Sequence, residues 1–153
     1  GERILRDRAV VEEFYQNEFD GAKTFCGYNE DAVSAVKEVK GMGLRVALAS
    51  NPVFPMTAMK ARVRWAGLEP NDFEIITAYE NIGVSKPNPV YYSEIAARLG
   101  VVPEECLMVG NDVEEDMVAH ECDISVFLLT DNKDISAYPQ GSFKELLKYL
   151  NLD

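Results

Sequence analysis

The amino-acid sequence predicts an α/β fold in which a mostly parallel sheet is covered by helices on both faces. Four short apolar segments, rich in leucine and β-branched residues, are mostly followed by polar residues, glycine or proline. Longer segments, whose apolar residues recur at helical spacing, separate them. Short apolar segments of this kind are typical of parallel strands, and the alternation of strand and helix requires right-handed crossovers. The chain is therefore expected to form a layered α/β domain.

The predicted elements follow in chain order. The four predicted strands cover residues 44–49 (LRVALA), 73–77 (FEIIT), 106–109 (CLMV) and 124–129 (ISVFLL). The predicted core helices cover 30–40, 55–65 and 89–100, with one more after Asp112 and a last one after Ser142. Asn29 is a suitable N-cap for the first helix and Gly41 a suitable stop. Pro89 fits a first helical turn, and Ser142 with Glu145 forms a capping box.

The first 28 residues do not follow this alternation. Residues 2–19 have the pattern of one amphipathic helix, which leads into a turn near Asp20 and Gly21. We therefore divide the chain into a separate N-terminal segment, residues 1–28, and an α/β core, residues 29–153.

Composition excludes several classes of function. The formal net charge is −11 and no basic stripe is present, so neither a nucleic acid nor an anionic membrane is an expected partner. No apolar segment approaches the ~20 residues of a membrane span, and the start of the chain is too charged for a signal peptide. The three cysteines show no pairing pattern, and the single histidine is a weak case for zinc. We expect a cytoplasmic protein.

Polar side chains follow three of the predicted strands. Ser50 and Asn51 follow the first strand, Lys86 lies in the loop after the second, and Asp112 and Asp116 follow the third. Because the carboxyl ends of parallel strands meet at one edge of a sheet, we expect these side chains to lie close together. A serine and a backbone N–H can bind a phosphoryl oxygen, a lysine offsets its charge, and two carboxylates suit Mg²⁺.

Each of these residues also has an ordinary explanation. Ser50 alone fits a loop or cap residue, Lys86 a solvated surface charge, and the acidic run at 112–116 a helix N-terminus that complements the macrodipole. Only their order and their common placement after successive strands favour a phosphate site.

The segments that carry this pattern resemble the haloacid dehalogenase superfamily. ALASN (47–51), SKPNPVYYSEIAARLG (85–100) and LMVGNDVEEDM (107–117) are similar to its second, third and fourth motifs, and the resemblance covers roughly residues 25–132. It implies a Rossmann-like three-layer αβα fold and assigns residues 1–28 to the remnant of a helical cap and 29–153 to the core.

The resemblance also implies roles for individual residues. Ser50 and Lys86 would be catalytic, and with Asn51, through its backbone, they would bind the phosphoryl group. Asp112 would ligate Mg²⁺, and Asp116 would be a second acidic partner, reached directly or through water. Glu115 is a weaker candidate for that second position.

The chain departs from the family in one respect. Members begin with a buried strand that ends in Asp-x-Asp-Gly-Thr and supplies the nucleophile, whereas the nearest string here, residues 18–22 (EFDGA), follows no apolar segment. We expect the first strand, which is central in the family and lies between strands 44–50 and 106–110, to be missing. Either these two strands close up, a second chain fills the gap in a homodimer, or a further segment of the same protein does.

The resemblance implies a Mg²⁺-dependent phosphatase of a small phosphorylated metabolite, which acts through an aspartyl-phosphate in the full-length protein. The chain as given would be inactive. Two alternatives stay open: a non-catalytic phosphate-binding or regulatory domain, and a haloacid dehalogenase or phosphonatase-type hydrolase. A phospho-receiver domain or a dinucleotide-binding role fits less well, because no paired acids open the chain and no GxGxxG follows a strand.

Overall fold

The computed structural model describes residues 2–134 and 137–151, with side chains from residue 9 onward. The helices are α1 (Glu2–Asn17), α2 (Glu30–Gly41), α3 (Met56–Trp65), α4 (Pro89–Leu99) and α5 (Phe143–Leu150). The strands are β1 (Ala47–Leu48), β2 (Ile75–Ile76), β3 (Leu107–Gly110), β4 (Ser125–Leu129) and β5 (Gln140–Gly141). Short 3₁₀ segments connect several of these elements.

All strand pairs described in this structure are parallel, as expected. β1 pairs with β2, with Ala47 opposite Ile75, and β3, β4 and β5 form a second sheet in that order. β5 was not predicted, because two residues ending in glycine carry no strand pattern. Each of the four predicted strands corresponds to an observed strand; β1, β2 and β4 are shorter than the apolar segments that predicted them, and β3 has the predicted length, shifted by one residue.

A gap separates the two sheets. Within the described residues, β1 and β3 form no backbone hydrogen bonds with each other. Their side chains are nevertheless neighbours, because Ala47, Ala49 and Met108 all pack against the same apolar cluster. The two strands expected to flank a central strand therefore belong to separate sheets, and within the described residues they have not paired with each other.

Helices cover both faces of these strands. One core contains Tyr91, Tyr92 and Ile95 of α4, packed with residues of β4 and of the segment that follows Asp116. The other contains side chains of α2 and α3, packed against Leu48 and Ile76. This arrangement confirms the predicted three-layer αβα architecture.

Helix termini follow the predicted capping residues. The side chain of Asn29 accepts hydrogen bonds from the backbone N–H groups of Asp31 and Ala32, at 2.9 and 3.3 Å. Gly100 ends α4 with φ of 68°, a conformation that favours glycine. The Glu145 carboxylate accepts from the Ser142 backbone N–H at 2.6 Å, and this hydrogen bond lowers the pKa of Glu145.

The helix predicted after Asp112 is wrong in detail. A turn occupies residues 112–116, and a 3₁₀ helix follows from Met117 to Cys122. The carboxylate of Asp116 points back toward the end of β3 rather than along a helix, and Asp123 has a positive φ of 63°. Contacts with distant residues therefore override the local helical pattern.

The N-terminal segment packs on α3 through aromatic side chains. Its predicted helix ends at Asn17, and the predicted turn at Asp20 lies within a 3₁₀ helix, Phe19–Phe25. The Phe19 ring lies 5.0 Å from the Trp65 ring between centroids, and the Trp65 indole donates a hydrogen bond to Asp20 at 3.2 Å. Among the described residues, no helix is long and apolar enough to span a membrane.

Candidate functional site

A buried ion pair lies at the end of β3. The Lys86 ammonium is 2.5 Å from Oδ1 of Asp116, and both side chains are only 7% exposed. The other oxygen of Asp116 accepts hydrogen bonds from the backbone N–H groups of Asn111 and Asp112, at 3.0 and 3.1 Å. Both carboxylate oxygens are therefore bonded, which is the condition under which a buried charge is tolerated.

Gly110 allows the Asp116 carboxylate to reach this position. A Cβ atom on Gly110 would lie 2.2 Å from Oδ2 and 2.3 Å from Cγ of Asp116. Any other residue at the end of β3 would displace that side chain. A glycine is therefore required at this position for steric reasons, because the Asp116 carboxylate packs directly against the Gly110 backbone.

The Asn51 side chain joins three loops. Its Oδ1 accepts a hydrogen bond from the Lys86 backbone N–H at 2.9 Å, and its Nδ2 donates to the Glu115 carboxylate at 3.1 Å. The sequence favoured a backbone role for Asn51, whereas in the structure its side chain bonds to both other loops. Glu115, the weaker acidic candidate, is thereby held at the site.

Ser50 is held by its backbone. Its N–H donates to the Thr77 hydroxyl at 2.8 Å, and its carbonyl accepts from the Tyr91 hydroxyl at 2.7 Å. The Ser50 hydroxyl itself makes no hydrogen bond within the described part of the chain. It is therefore free to bind a ligand.

Asp112 lies at the edge of the site and is exposed. Its Oδ1 accepts from the backbone N–H groups of Glu114 and Glu115, at 2.9 and 2.8 Å, and its Oδ2 has no partner among residues 9–134 and 137–151. That oxygen fits a hard cation. Asp116 fits a supporting role, because both of its oxygens are already bonded. No group of three or more potential metal ligands occurs among the described residues. For Mg²⁺, one or two carboxylates are enough when water or phosphate oxygens complete the coordination.

The five residues singled out in the sequence thus belong to one connected network. Lys86 contacts Asn51 and Asp116 directly, and Asp116 contacts the Asp112 backbone. Ser50 precedes Asn51 and is linked to Lys86 through Tyr91, whose ring centroid is 5.8 Å from the ammonium. All of them lie at the carboxyl ends of β1 and β3 or in the loop after β2.

Three participants were not singled out from the sequence: Thr77, Tyr91 and Tyr92. Thr77 was counted as the last residue of the predicted strand 73–77, so the rule that selected residues after a strand missed it; the observed β2 ends at Ile76, directly before Thr77. The two tyrosines lay on the stripe of apolar residues expected to face the core. Their rings face the core as expected, but their hydroxyls reach the site. The Tyr92 hydroxyl, for example, donates a hydrogen bond to the Glu115 carbonyl.

The fold and this rim of serine, lysine and carboxylates define a layered α/β protein with a polar site at the strand ends. A family model for haloacid dehalogenase-like hydrolases matches residues 5–121. The chain belongs to the haloacid dehalogenase-like hydrolase family.

Individual relatives support the same assignment. The chain is 47% identical over 45 residues to glyceraldehyde 3-phosphate phosphatase of Methanopyrus kandleri, a match covering 29% of this chain and 19% of that protein. It is 27% identical to phosphoglycolate phosphatase of Colwellia psychrerythraea, covering 77% and 54%. The fold matches a HAD family hydrolase from Deinococcus radiodurans R1, solved with bound phosphate and sodium, with a TM-score of 0.69, 23% identity and coverage of 81% and 59%. The chain spans less than two thirds of each relative.

Proposed function

We propose that the protein to which this chain belongs is a Mg²⁺-dependent phosphatase of a small phosphorylated metabolite. The observation that carries the proposal is the buried pair between Lys86 and Asp116, which lies at the strand ends beside Ser50. The phosphatase names of the curated relatives support this reaction class. We also propose a cytoplasmic location for the protein.

In this proposal, each residue of the chain has a defined task. The free Ser50 hydroxyl and the Asn51 backbone N–H donate hydrogen bonds to non-bridging phosphoryl oxygens. The Lys86 ammonium offsets the negative charge of the phosphoryl group, and Asp116 holds that ammonium in place. Asp112 offers its unbonded oxygen to Mg²⁺. When bound, the metal would neutralise charge on the phosphoryl oxygens.

The nucleophile is proposed to be an aspartate outside the chain. Asp20 is a poor candidate, because it lies in a 3₁₀ helix and bonds to Trp65 on α3. An aspartate carboxylate oxygen would attack phosphorus, and the ester P–O bond would break as the leaving alcohol takes a proton. Water would then hydrolyse the acyl phosphate to aspartate and inorganic phosphate.

The gap between β1 and β3 is the proposed position of the strand that carries this aspartate. Its unpaired inner edges present backbone N–H and C=O groups to a parallel strand. The whole protein would supply that strand, and a second copy of the chain is the alternative occupant. Size-exclusion chromatography with intact mass decides between them: a longer polypeptide that elutes as a monomer supports the first, and a dimer of this chain supports the second.

Binding of inorganic phosphate tests the site without requiring turnover. Calorimetry with phosphate and Mg²⁺ should give measurable affinity for the chain, and Ser50→Ala and Lys86→Met should each weaken it at least about tenfold, the loss expected for one charge-assisted contact. The matched control is Lys60→Met, which removes an exposed lysine of α3. Equal affinity in the Lys86 and Lys60 variants would refute the proposal.

Binding of Mg²⁺ tests the metal site separately. Calorimetry should show weak binding that Asp112→Asn abolishes, whereas Asp131→Asn, at another exposed acid, should leave it unchanged. Unchanged binding in the Asp112 variant would show that the metal lies elsewhere. With an aryl phosphate and Mg²⁺, the chain alone should release no phosphate, and robust turnover would refute the view that the nucleophile lies outside it.

A further inference from the structure

Two adjacent tyrosines of α4 connect this helix to the loops of the site. Asn88 caps α4 by accepting from the Val90 N–H at 3.0 Å, so the first turn, which carries Tyr91 and Tyr92, is fixed. Adjacent residues of a helix point about 100° apart. The two rings therefore meet edge to face, with centroids 5.0 Å apart and an interplanar angle of 87°. Their hydroxyls bond to different loops.

Both backbone polar groups of Ser50 are bonded to buried side chains. Thr77 and Tyr91 are each 0% exposed. The Ser50 N–H donates to the Thr77 hydroxyl at 2.8 Å, and the Ser50 carbonyl lies 2.5 Å from that hydroxyl and 2.7 Å from the hydroxyl of Tyr91. The Ser50 backbone therefore cannot rotate without breaking hydrogen bonds to two fully buried side chains.

The hydrogen count supports this assignment of donors. The Thr77 hydroxyl has one hydrogen, and its two carbonyl neighbours are those of Ser50 at 2.5 Å and Leu48 at 3.2 Å. The Tyr91 hydroxyl also has one hydrogen, and Ser50 at 2.7 Å is closer than Thr77 at 3.2 Å. Each hydroxyl thus donates to the Ser50 carbonyl, which has two lone pairs.

Tyr91 also contacts the lysine of the site. Its ring centroid lies 5.8 Å from the Lys86 ammonium, within the distance at which an aromatic face attracts a cation. Asp116 holds the same ammonium from another direction at 2.5 Å. Tyr91, a single buried side chain, therefore bonds to Ser50 through its hydroxyl and packs against Lys86 through its ring.

We propose that Tyr91 and Thr77 are positioning residues that fix the Ser50 backbone, and that Tyr91 holds Ser50 and Lys86 in position relative to each other. The inference rests on the proposed function, because it assigns support to the two residues proposed to bind phosphate. Neither Tyr91 nor Thr77 is expected to touch phosphate, since both are fully buried. Their effect acts through Ser50.

The test compares phosphate affinity with hydrogen exchange at the Ser50 amide. Tyr91→Phe and Thr77→Val each remove one hydroxyl with little change of shape. Tyr91→Phe loses one hydrogen bond to Ser50 and should weaken binding of inorganic phosphate, in the presence of Mg²⁺, about five- to tenfold. Thr77→Val loses two, one from the Ser50 N–H and one to the Ser50 carbonyl, and should weaken binding at least as much. Thr77→Val should also speed exchange of the Ser50 amide proton, because it removes the acceptor of that proton. Thr77→Ser retains the hydroxyl and should restore both.

Two variants of the same helix serve as controls. Ile95→Val trims a buried side chain about one turn beyond Tyr91, so it loses some stability without losing a hydroxyl. Tyr92→Phe breaks the bond to the Glu115 carbonyl and should leave exchange at Ser50 unchanged. If Tyr91→Phe fails to fold, the Thr77→Val and Thr77→Ser pair decides alone.

The possible failures are distinguishable. If the unmodified chain binds no phosphate even with Mg²⁺, the proposed function fails and this inference fails with it. If the unmodified chain binds phosphate but Tyr91→Phe and Thr77→Val stay within twofold of it, as Ile95→Val should, only the positioning roles are overturned. Weakening in Thr77→Val without rescue in Thr77→Ser would also overturn them, because a packing effect would explain it.

Discussion

Replacement of Gly110 by alanine tests whether the Asp116 carboxylate must pack against the end of β3. The added Cβ would lie 2.2 to 2.4 Å from three atoms of the Asp116 side chain, so that side chain must move. Movement would break its ion pair with Lys86 and its two hydrogen bonds to backbone N–H groups. Disruption of a buried pair of this kind costs about 3–5 kcal/mol, a large part of a domain's net stability of ~5–15 kcal/mol.

The matched control is Gly83→Ala. Gly83 is exposed, its φ is not in the positive range, and no atom lies within 4 Å of its added Cβ. Urea unfolding followed by circular dichroism should show a free energy of unfolding lowered by about 3–5 kcal/mol in Gly110→Ala and changed by less than about 1 kcal/mol in Gly83→Ala. Equal stability of the two variants would mean that Asp116 is not held against the Gly110 backbone.

Three further predictions concern stability. Lys86→Met leaves the Asp116 carboxylate buried without its cation and should lower the free energy of unfolding by about 3–5 kcal/mol. A loss below about 1 kcal/mol in urea unfolding would contradict a buried ion pair between Lys86 and Asp116. Burial raises the pKa of Tyr91 to about 12, so the native state keeps a phenol proton that the unfolded chain loses near pH 10. Stability should therefore fall between pH 10 and 12 by up to about 1.4 kcal/mol per pH unit, and Tyr91→Phe should make that fall shallower; an unchanged pH profile would refute this. Gly67→Ala should lower the free energy of unfolding by about 1 kcal/mol, because Gly67 has φ of +79° and an added Cβ would lie 2.3 Å from the Tyr28 ring, which must move. An unchanged midpoint in thermal unfolding would contradict this prediction.

The fold could be predicted because its strands and helices are local patterns. Capping by Asn29 and the stop at Gly100 depend on residues within one turn, and both were found. The lengths of β1, β2 and β4 were not predicted, because the length of a strand depends on which neighbouring strand it pairs with. The segment 44–49 is mostly apolar, yet only Ala47 and Leu48 pair as a strand, opposite Ile75 and Ile76 of β2.

The members of the site could be predicted better than their contacts. Residues at strand ends share one edge by topology, which is sufficient to group Ser50 with Lys86. The bond between Asn51 and Glu115 joins residues 64 positions apart, and no local pattern predicts it. For the same reason the helix expected after Asp112 was wrong: its acidic start fits a helix until Asp116 turns back to bond to Lys86.

The charges of the site give an independent reason to expect a divalent cation there. Among the described residues, one ammonium, that of Lys86, lies within a network that holds three carboxylates, those of Asp112, Glu115 and Asp116. The local charge is therefore negative, and the whole chain carries a formal net charge of −11. A phosphate dianion entering this rim would be repelled at short range, where salt screens it only partly. A divalent cation on the unbonded oxygen of Asp112 would neutralise that charge without disturbing Asp116, so phosphate binding should depend on the cation more strongly than on any single side chain.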